Sequence, residues 1–303
     1  MLVNSSDLLA GVALDLAIGD PAWLPHPVRA IGWFAGVAER LWRSTGLPLQ
    51  LAGALFWFSV VALTCAIVWI TVPFANVYWI YAFLACRDLD IEAGRVIRAL
   101  RENDLPQARK LLSYIVGRDT ENLNESEILR ATIETVAENL SDGVIAPLFW
   151  LAVAGPVGMA GYKAVNTLDS MVGHRNERYR DFGCFSARAD DAANFVPARV
   201  AALLIWAAAL IPGFNARRSF QVTMRDGATQ PSPNSGYPEA AAAGALEVQL
   251  GGLNRYRGVV TLKPTLGDPI VRLTPAIFQR MRILLYVSEG LFVASIVGCL
   301  KWR

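Results

Sequence analysis

A chain of 303 residues that is 54% hydrophobic and only 18% charged carries more apolar surface than a soluble domain normally hides, which predicts an all-α, multi-pass integral membrane protein of about four to five spans or half-spans with cytoplasmic helical segments. Its 28 basic and 26 acidic residues nearly cancel, at +2, so the basic face that nucleic-acid binding demands is excluded. Cys65, Cys86, Cys184 and Cys299 share no CxxC spacing and read as small hydrophobes, neither a disulfide framework nor a zinc site.

The first Lys or Arg is Arg29, so the chain lacks the basic start of a secretory signal and is expected to insert uncleaved. Residues 7 to 18 are apolar but too short to cross roughly 30 Å of hydrocarbon at about 1.5 Å per residue, and they contain Asp15; a half-span or interfacial helix is expected. Asp20 and His26 follow within a Gly/Pro-punctuated string that fixes a tight path. From 51 to 86 the chain is almost continuously apolar, either one tilted span or two short ones broken near Pro73.

Residues 87 to 142 predict a mainly helical, water-exposed insertion. Asp104 before Pro106 starts a short helix and Gly117 follows it, while Asn124 with Glu127 forms a capping box ahead of the stripe Leu129, Ile133, Val136 and Leu140. The run from 143 to 162 holds Pro147, Gly155, Pro156, Gly158 and Gly161, the pattern of a broken helix lining a cavity. Residues 196 to 211 and 283 to 300 read as plainer spans, with a polar loop-helix segment at 213 to 282 between them. Eight Lys/Arg in 87 to 142 and nine in 213 to 282 place both on the cytoplasmic side. No strand pattern, repeat or linker stands out, so residues 1 to 303 are read as one integrated domain.

Polar groups crowd between the runs 143 to 162 and 196 to 211: Asn166, Asp169, His174, Arg175, Asp190, Asp191 and Asn194. Carboxylates beside hydrocarbon are costly to keep and mark a functional site. Asn166 and Asp169 are three apart, and Asp190 and Asp191 precede Asn194 by four and three, so each set shares a helical face. Two such faces make a Mg²⁺ and phosphate site, with Asp169, Asp190, Asp191 and Asn194 as metal ligands and Lys163, Asn166, Arg175 and Arg188 toward phosphate. Glu134 and Glu138, at i and i+4, are either oxygen ligands or a solvated face on which Arg130 pairs with Glu134. The turn at Ser232 to Glu239 feeds an alanine-rich helix, either as ordinary capping or as an anion cradle at Asn234, Ser235 and Gly236. Walker, dinucleotide-fold, zincin and nucleophile-elbow motifs are all missing from the sequence.

Five blocks carry a family resemblance: DLAIGDPAWLPHPVRAIG at 15 to 32, ETVAENLSDGVIAPLFW at 134 to 150, YKAVNTLDSMVGHRNERYRDFG at 162 to 183, SARADDAANFVPAR at 186 to 199 and SPNSGYPEAAAAGALEVQLGG at 232 to 252. In that order they resemble the CobD/CbiB family of cobalamin-biosynthesis membrane proteins. Gln230 stands where the family usually has histidine. The resemblance implies a multi-pass protein of the cytoplasmic (inner) membrane with a cytoplasm-facing site, acting as adenosylcobinamide-phosphate synthase. In that reaction a cobyric acid carboxylate is joined to aminopropanol phosphate, or a related amino alcohol, with ATP and Mg²⁺. Corrinoid, amino alcohol phosphate and membrane lipids are the implied partners, with a homo-oligomer or association with other cobalamin-pathway enzymes. On that mechanism Asp169 joins the catalytic set, His26 or Glu138 takes the ammonium proton, and Asn234 to Gly236 cradle the amino alcohol phosphate. A Mg²⁺-dependent membrane transferase on a lipid (di)phosphate, and a non-enzymatic transporter or assembly partner, would show similar spans and acidic clusters.

Overall fold

The computed structural model describes residues 3–21, 23–174 and 176–301. Among them, four helical stretches are long and apolar enough to cross a membrane: Leu49–Arg101, Glu125–Val172, Cys184–Ala208 and Pro275–Lys301. The protein is thus mostly helical and membrane-embedded, as composition predicts. The fold comprises two compact units, each assembled from separated stretches. Because the units are interleaved along the chain, no linker marks them.

The first unit takes residues 1–85, 146–195 and 295–303. Its helices are α1 (Ser5–Ile18), α2 (Pro27–Arg43), α3 (Leu49–Ala82), α7 (Ala146–Val172) and the start of α8 (Cys184–Ala208). Helix α3 packs against α1, α2 and α7. Its apolar residues run round all faces because one side meets these neighbours and the other, with Trp69, Ile70 and Phe74, is exposed as a lipid-facing surface would be. The helix kinks at Ala75, two residues past Pro73, so the alternative of a broken 51-to-86 run is realised as a single bent helix. Helix α7 breaks at Gly155, whose φ of 69° precedes Pro156.

The link from α7 to α8 is clamped by the end of α2. Arg43 lies 4.2 Å from the Phe182 ring and donates to Glu39 and to the Arg178 carbonyl, both at 2.9 Å. The clamp brings α8 back alongside α7. Gly173 closes α7 with its Cα against the Asp169 side chain; a Cβ there would lie 1.8 Å from Asp169 Oδ1.

The second unit takes residues 86–145 and 196–294. It contains α4 (Cys86–Arg101), α5 (Leu105–Leu112), α6 (Glu125–Asn139), a π-helical turn at Leu140–Ile145, the end of α8, α9 (Ala216–Asp226), α10 (Gly236–Leu246), and most of α11 (Pro275–Lys301). Both predicted caps form: Asp104 accepts from Gln107 N–H, and Asn124 and Glu127 satisfy each other's backbone donors at 3.0 and 2.8 Å. The expectation of no strands is corrected by an antiparallel hairpin, β1 (Leu250–Tyr256) and β2 (Val259–Leu266). Its two-residue turn places Arg257 and Gly258 at φ of 51° and 80°, the positive pair that matches strand twist. Only a short alternation surrounds that turn, which is why periodicity passed over it.

Helix α10 is apolar on every face and is accordingly buried throughout, between α9, α6 and the hairpin. A bulge at Gly251 bends β1 toward α6. Gly251 has φ of 77°, and a Cβ there would meet the Pro264 carbonyl oxygen at 2.2 Å. Gly251→Ala is expected to cost about 1–3 kcal/mol through backbone strain and that clash, read as a lower midpoint in thermal unfolding of the purified protein.

Candidate functional site

In the first unit, α7 and α8 run side by side and bring the predicted acidic residues together. Asp190 is the centre: its oxygens accept from Asn166 Nδ2 at 3.3 Å and from Asn194 Nδ2 at 3.0 Å. The negative charges of Asp169 and Asp191 both act on it. Among the described residues the three carboxylates do not bring their oxygens into one ligand shell; Mg²⁺ takes one or two carboxylates and keeps waters and phosphates as its other ligands, so Asp190 with one neighbour would suffice.

Asn194 is corrected from ligand to support. Its side-chain oxygen accepts from Tyr162 Oη at 2.9 Å while its amide donates to Asp190, so both ends are spent within the protein. It is buried and sets the direction of Asp190. Lys163 is half-buried on α7, Arg188 is exposed on the first turn of α8, and His174 is exposed beyond α7. Arg175 lies outside the described residues.

His26 is a helix cap. Its Nδ1 accepts from the Val28 N–H at 3.3 Å, and its Nε2 sits 3.2 Å from Asp20 Oδ1 in a contact that is not an aligned hydrogen bond. The ring forms part of the wall of an apolar cleft of about 380 Å³ that also includes Trp33 and Trp79.

The second unit holds a buried cluster that the sequence only half revealed. Glu134 is not on a solvated face: it is 4% exposed, Oε2 lies 2.5 Å from Arg118 Nη2, and Oε1 accepts from Gly251 N–H at 2.7 Å. Arg130, the expected partner, keeps a longer ion pair with Glu134 at 3.9 Å and also donates to the Leu253 carbonyl at 2.7 Å. Arg118 is fixed from its other side by Asn254 Oδ1 at 2.6 Å. A loop, a helix and a strand are thereby tied through one carboxylate.

Around this tie stand Glu138 from α6, Glu239 from the first turn of α10, and Lys263 from β2, each within electrostatic reach of the others. Glu239 is 4% exposed and makes no hydrogen bond or ion pair among the described residues; Glu138 and Lys263 likewise lack a direct partner among them. Lys263 pairs with Gly252 across the hairpin. Burial first, then the charges of Glu138 and Glu134, push the Glu239 carboxyl well above the ordinary glutamate range, against the pull of Lys263 and Arg118. Burial opposes the charge of Lys263, yet Tyr256, Glu239 and Glu138 outweigh it and hold the ammonium pKa above its usual value. A carboxyl kept near neutrality beside an ammonium group is the arrangement that moves protons or binds a polar ligand.

Arg118, Glu239 and Lys263 are the residues that spacing missed. A signal for Glu239 was present: a glutamate in a helix apolar on all faces must be buried. Arg118 also lines a cavity of about 730 Å³ whose other walls include Arg109, Lys110, Arg255 and Arg257, a cationic space suited to phosphate.

The turn at Asn234 to Gly236 is corrected as an anion cradle. Ser232 Oγ accepts from the N–H groups of Asn234 and Ser235 at 3.2 and 3.4 Å, so two of the three amides are consumed locally. Asn234 is buried, its Oδ1 accepting from Arg199 at 3.4 Å, and Arg199 stacks 4.2 Å over the Tyr237 ring. Gln230 is also buried and donates to the Pro264 carbonyl at 3.0 Å, a structural tie to β2.

Glu239 supplies a pH test. Its folded pKa is raised, so the native state keeps a proton that the unfolded chain has lost, and its contribution falls as pH rises above the ordinary glutamate value toward the folded one. Glu239→Gln removes that loss: its melting temperature relative to the parent should climb as pH rises above the ordinary glutamate value of about 4.3 and level off below it. A difference that stays constant with pH would contradict the assignment.

Comparison with known proteins adds a family. The model described as CobD/Cbib protein matches residues 8–285. The chain is 48% identical over 299 residues to the cobalamin biosynthesis protein CobD of Geobacter metallireducens, covering 94% of this chain and 93% of that protein. It is 44% identical to the protein of the same name from Clostridium perfringens, with 97% and 98% covered, and 42% identical to that of Klebsiella pneumoniae, with 95% of each covered. No solved structure matches.

Proposed function

This chain belongs to the CobD/CbiB family, and from that membership in cobalamin biosynthesis we propose that it forms an amide between a corrinoid carboxylate and an amino alcohol phosphate at the expense of ATP. The observation that carries the reading is the buried cluster of the second unit. There ETVAEN, through Glu134 and Glu138, meets SPNSGYPE and its Gly-Gly sequel, through Glu239 and Gly251. Two sequence blocks about a hundred residues apart and typical of the family thus supply one set of proton-handling groups.

Amide formation requires an activated acyl group and a neutral amine. The carboxylate takes the terminal phosphoryl group of ATP, releasing ADP; the amine then attacks the acyl phosphate and phosphate leaves. The attacking nitrogen first loses a proton, and Glu138 is the group assigned to accept it, in place of His26, with the protonated Glu239 as its buried neighbour. A buried carboxylate is a stronger base than one in water, which suits it to an ammonium group. The cationic cavity beside Arg118 suits the phosphate end of the amino alcohol, in place of the Asn234 to Gly236 turn.

Asp190, with Asp169 or Asp191, would hold Mg²⁺, and the ion when bound supplies neutralising charge for the phosphates of ATP. Asn194 and Asn166 hold Asp190 in position, and Lys163 and Arg188 add positive charge on the same two helices. The positive-inside pattern supports a site facing the cytoplasm, where ATP is available. Lipids surround the spans, and partner proteins of the same pathway remain part of the proposal.

Cells lacking this protein should accumulate cobyric acid, measured by mass spectrometry of extracted corrinoids; an unchanged corrinoid profile would sink the assignment. In purified protein, Asp190→Asn should lower ATP-dependent amide formation by about 100-fold or more while membrane insertion is unaffected. ATP consumption that proceeds at full rate in that variant, with corrinoid and amine both present, would remove the carboxylates from the nucleotide role.

A further inference from the structure

Between α4 and the first turns of α11 the second unit encloses a cavity of about 500 Å³ that neither the nucleotide nor the amine role uses. Five guanidinium groups reach its walls: Arg87, Arg95, Arg98 and Arg101 from α4, and Arg282 from α11. Its apolar floor includes Ile97 and Phe278, both fully buried, and the Phe278 ring passes 4.0 Å from where a Cβ on Gly94 would be.

A row of arginines at a helix end ordinarily reports topology alone. Three features set this group apart. The arginines come from two helices almost two hundred residues apart in the chain and converge on one cavity. The buried carboxylate in it, Asp90, is already saturated: it meets Arg282 Nε at 2.5 Å and Nη2 at 2.8 Å, and accepts from Tyr286 Oη at 2.7 Å. Asp90 thus anchors Arg282 and also lies 3.9 Å from Arg87 Nη1, and Arg95 pairs with Glu92 at 2.5 Å, so the local carboxylates are taken by these three arginines. Arg98 and Arg101 are exposed and have no ion-pair partner among the described residues.

We propose that this groove is a binding site for a phosphoanion carried on a partly apolar body, with Arg98 and Arg101 as its principal contacts, Arg282 held in place by Asp90, and the Ile97–Phe278 floor taking the organic part. Guanidinium forks match phosphate oxygens two at a time, and a floor of buried side chains excludes the water that would otherwise screen them. Both helices belong to candidate spans, Leu49–Arg101 and Pro275–Lys301, so the source of the phosphate is either the headgroup of an anionic lipid or a soluble phosphate ester. The site is independent of the ligase reading.

The test uses the full chain in lipid nanodiscs. One arm compares retention of phosphatidylglycerol or cardiolipin by native mass spectrometry; the other titrates phenyl phosphate by calorimetry into discs of phosphatidylcholine alone. In one arm the double variant Arg98→Gln/Arg101→Gln should bind at least about tenfold more weakly than the parent, with a shallower salt dependence. A control pair of exposed arginines outside the groove, Arg217→Gln/Arg272→Gln, should bind as the parent does. The arm that responds identifies the source. Equal binding by parent and groove variant in both arms overturns the proposal, as does an equal loss in the control pair, which would reduce the effect to general surface charge. Thermal unfolding of each variant confirms that the fold is intact before binding is compared.

Discussion

Glu134 is a charge withdrawn from water, and such a charge persists only where its oxygens are matched. Here one oxygen is met by the Arg118 guanidinium and the other by the Gly251 N–H. Removing either partner would strand a buried charge, so the loop carrying Arg118, helix α6 and strand β1 are bound to a single arrangement. The second unit's chemistry follows from that constraint. With α6 and the hairpin locked, Glu138 and Lys263 are brought to the first turn of α10, and Glu239 is left buried without a hydrogen bond of its own among the described residues. An unmatched carboxyl beside matched ones is the pattern of a site that awaits a ligand or a proton.

The first unit uses a different device toward a similar end. There two helices are returned side by side by the Arg43 clamp on the connecting segment, and neutral amides aim the central carboxylate. Amide donors stabilise Asp190 without cancelling its charge, which keeps it suited to a hard cation. Arginine partners at the same distance would have neutralised it. The difference between the two clusters, amides around one and guanidinium around the other, is what divides their assigned roles between metal-bound nucleotide and proton transfer.

Several residues that look catalytic by type turn out to be architectural by contact. His26 caps α2, Asn194 orients Asp190, and Ser232 consumes the amides that a phosphate would have used. In each case local hydrogen bonding engages the side chain in ending or directing a helix, although the buried Nε2 of His26 has no hydrogen-bond partner among the described residues. Glu239 and Lys263 are the reverse: Glu239 sits in a family block and Lys263 outside any, and both side chains are left with electrostatic neighbours only.

Sequence alone determined what short-range chemistry dictates. Apolar content and run length set the helical, membrane-embedded class; Asn124 with Glu127 and Asp104 before Pro106 set helix starts, since a cap needs only its own three following residues; and the three-and-four spacing of Asn166, Asp169, Asp190, Asp191 and Asn194 set which side chains share a face. It could not choose between Arg130 and Arg118 for Glu134, because one is a helical neighbour and the other is sixteen residues away across a loop. It could not divide the chain into two units, because each is woven from distant stretches, nor see a hairpin whose strands are mostly exposed on β2. Those decisions rest on long-range burial: only when α10 is enclosed by α6, α9 and the hairpin does the dielectric around Glu239 fall, and a carboxyl that the sequence presents as one glutamate among many becomes a group with its own chemistry.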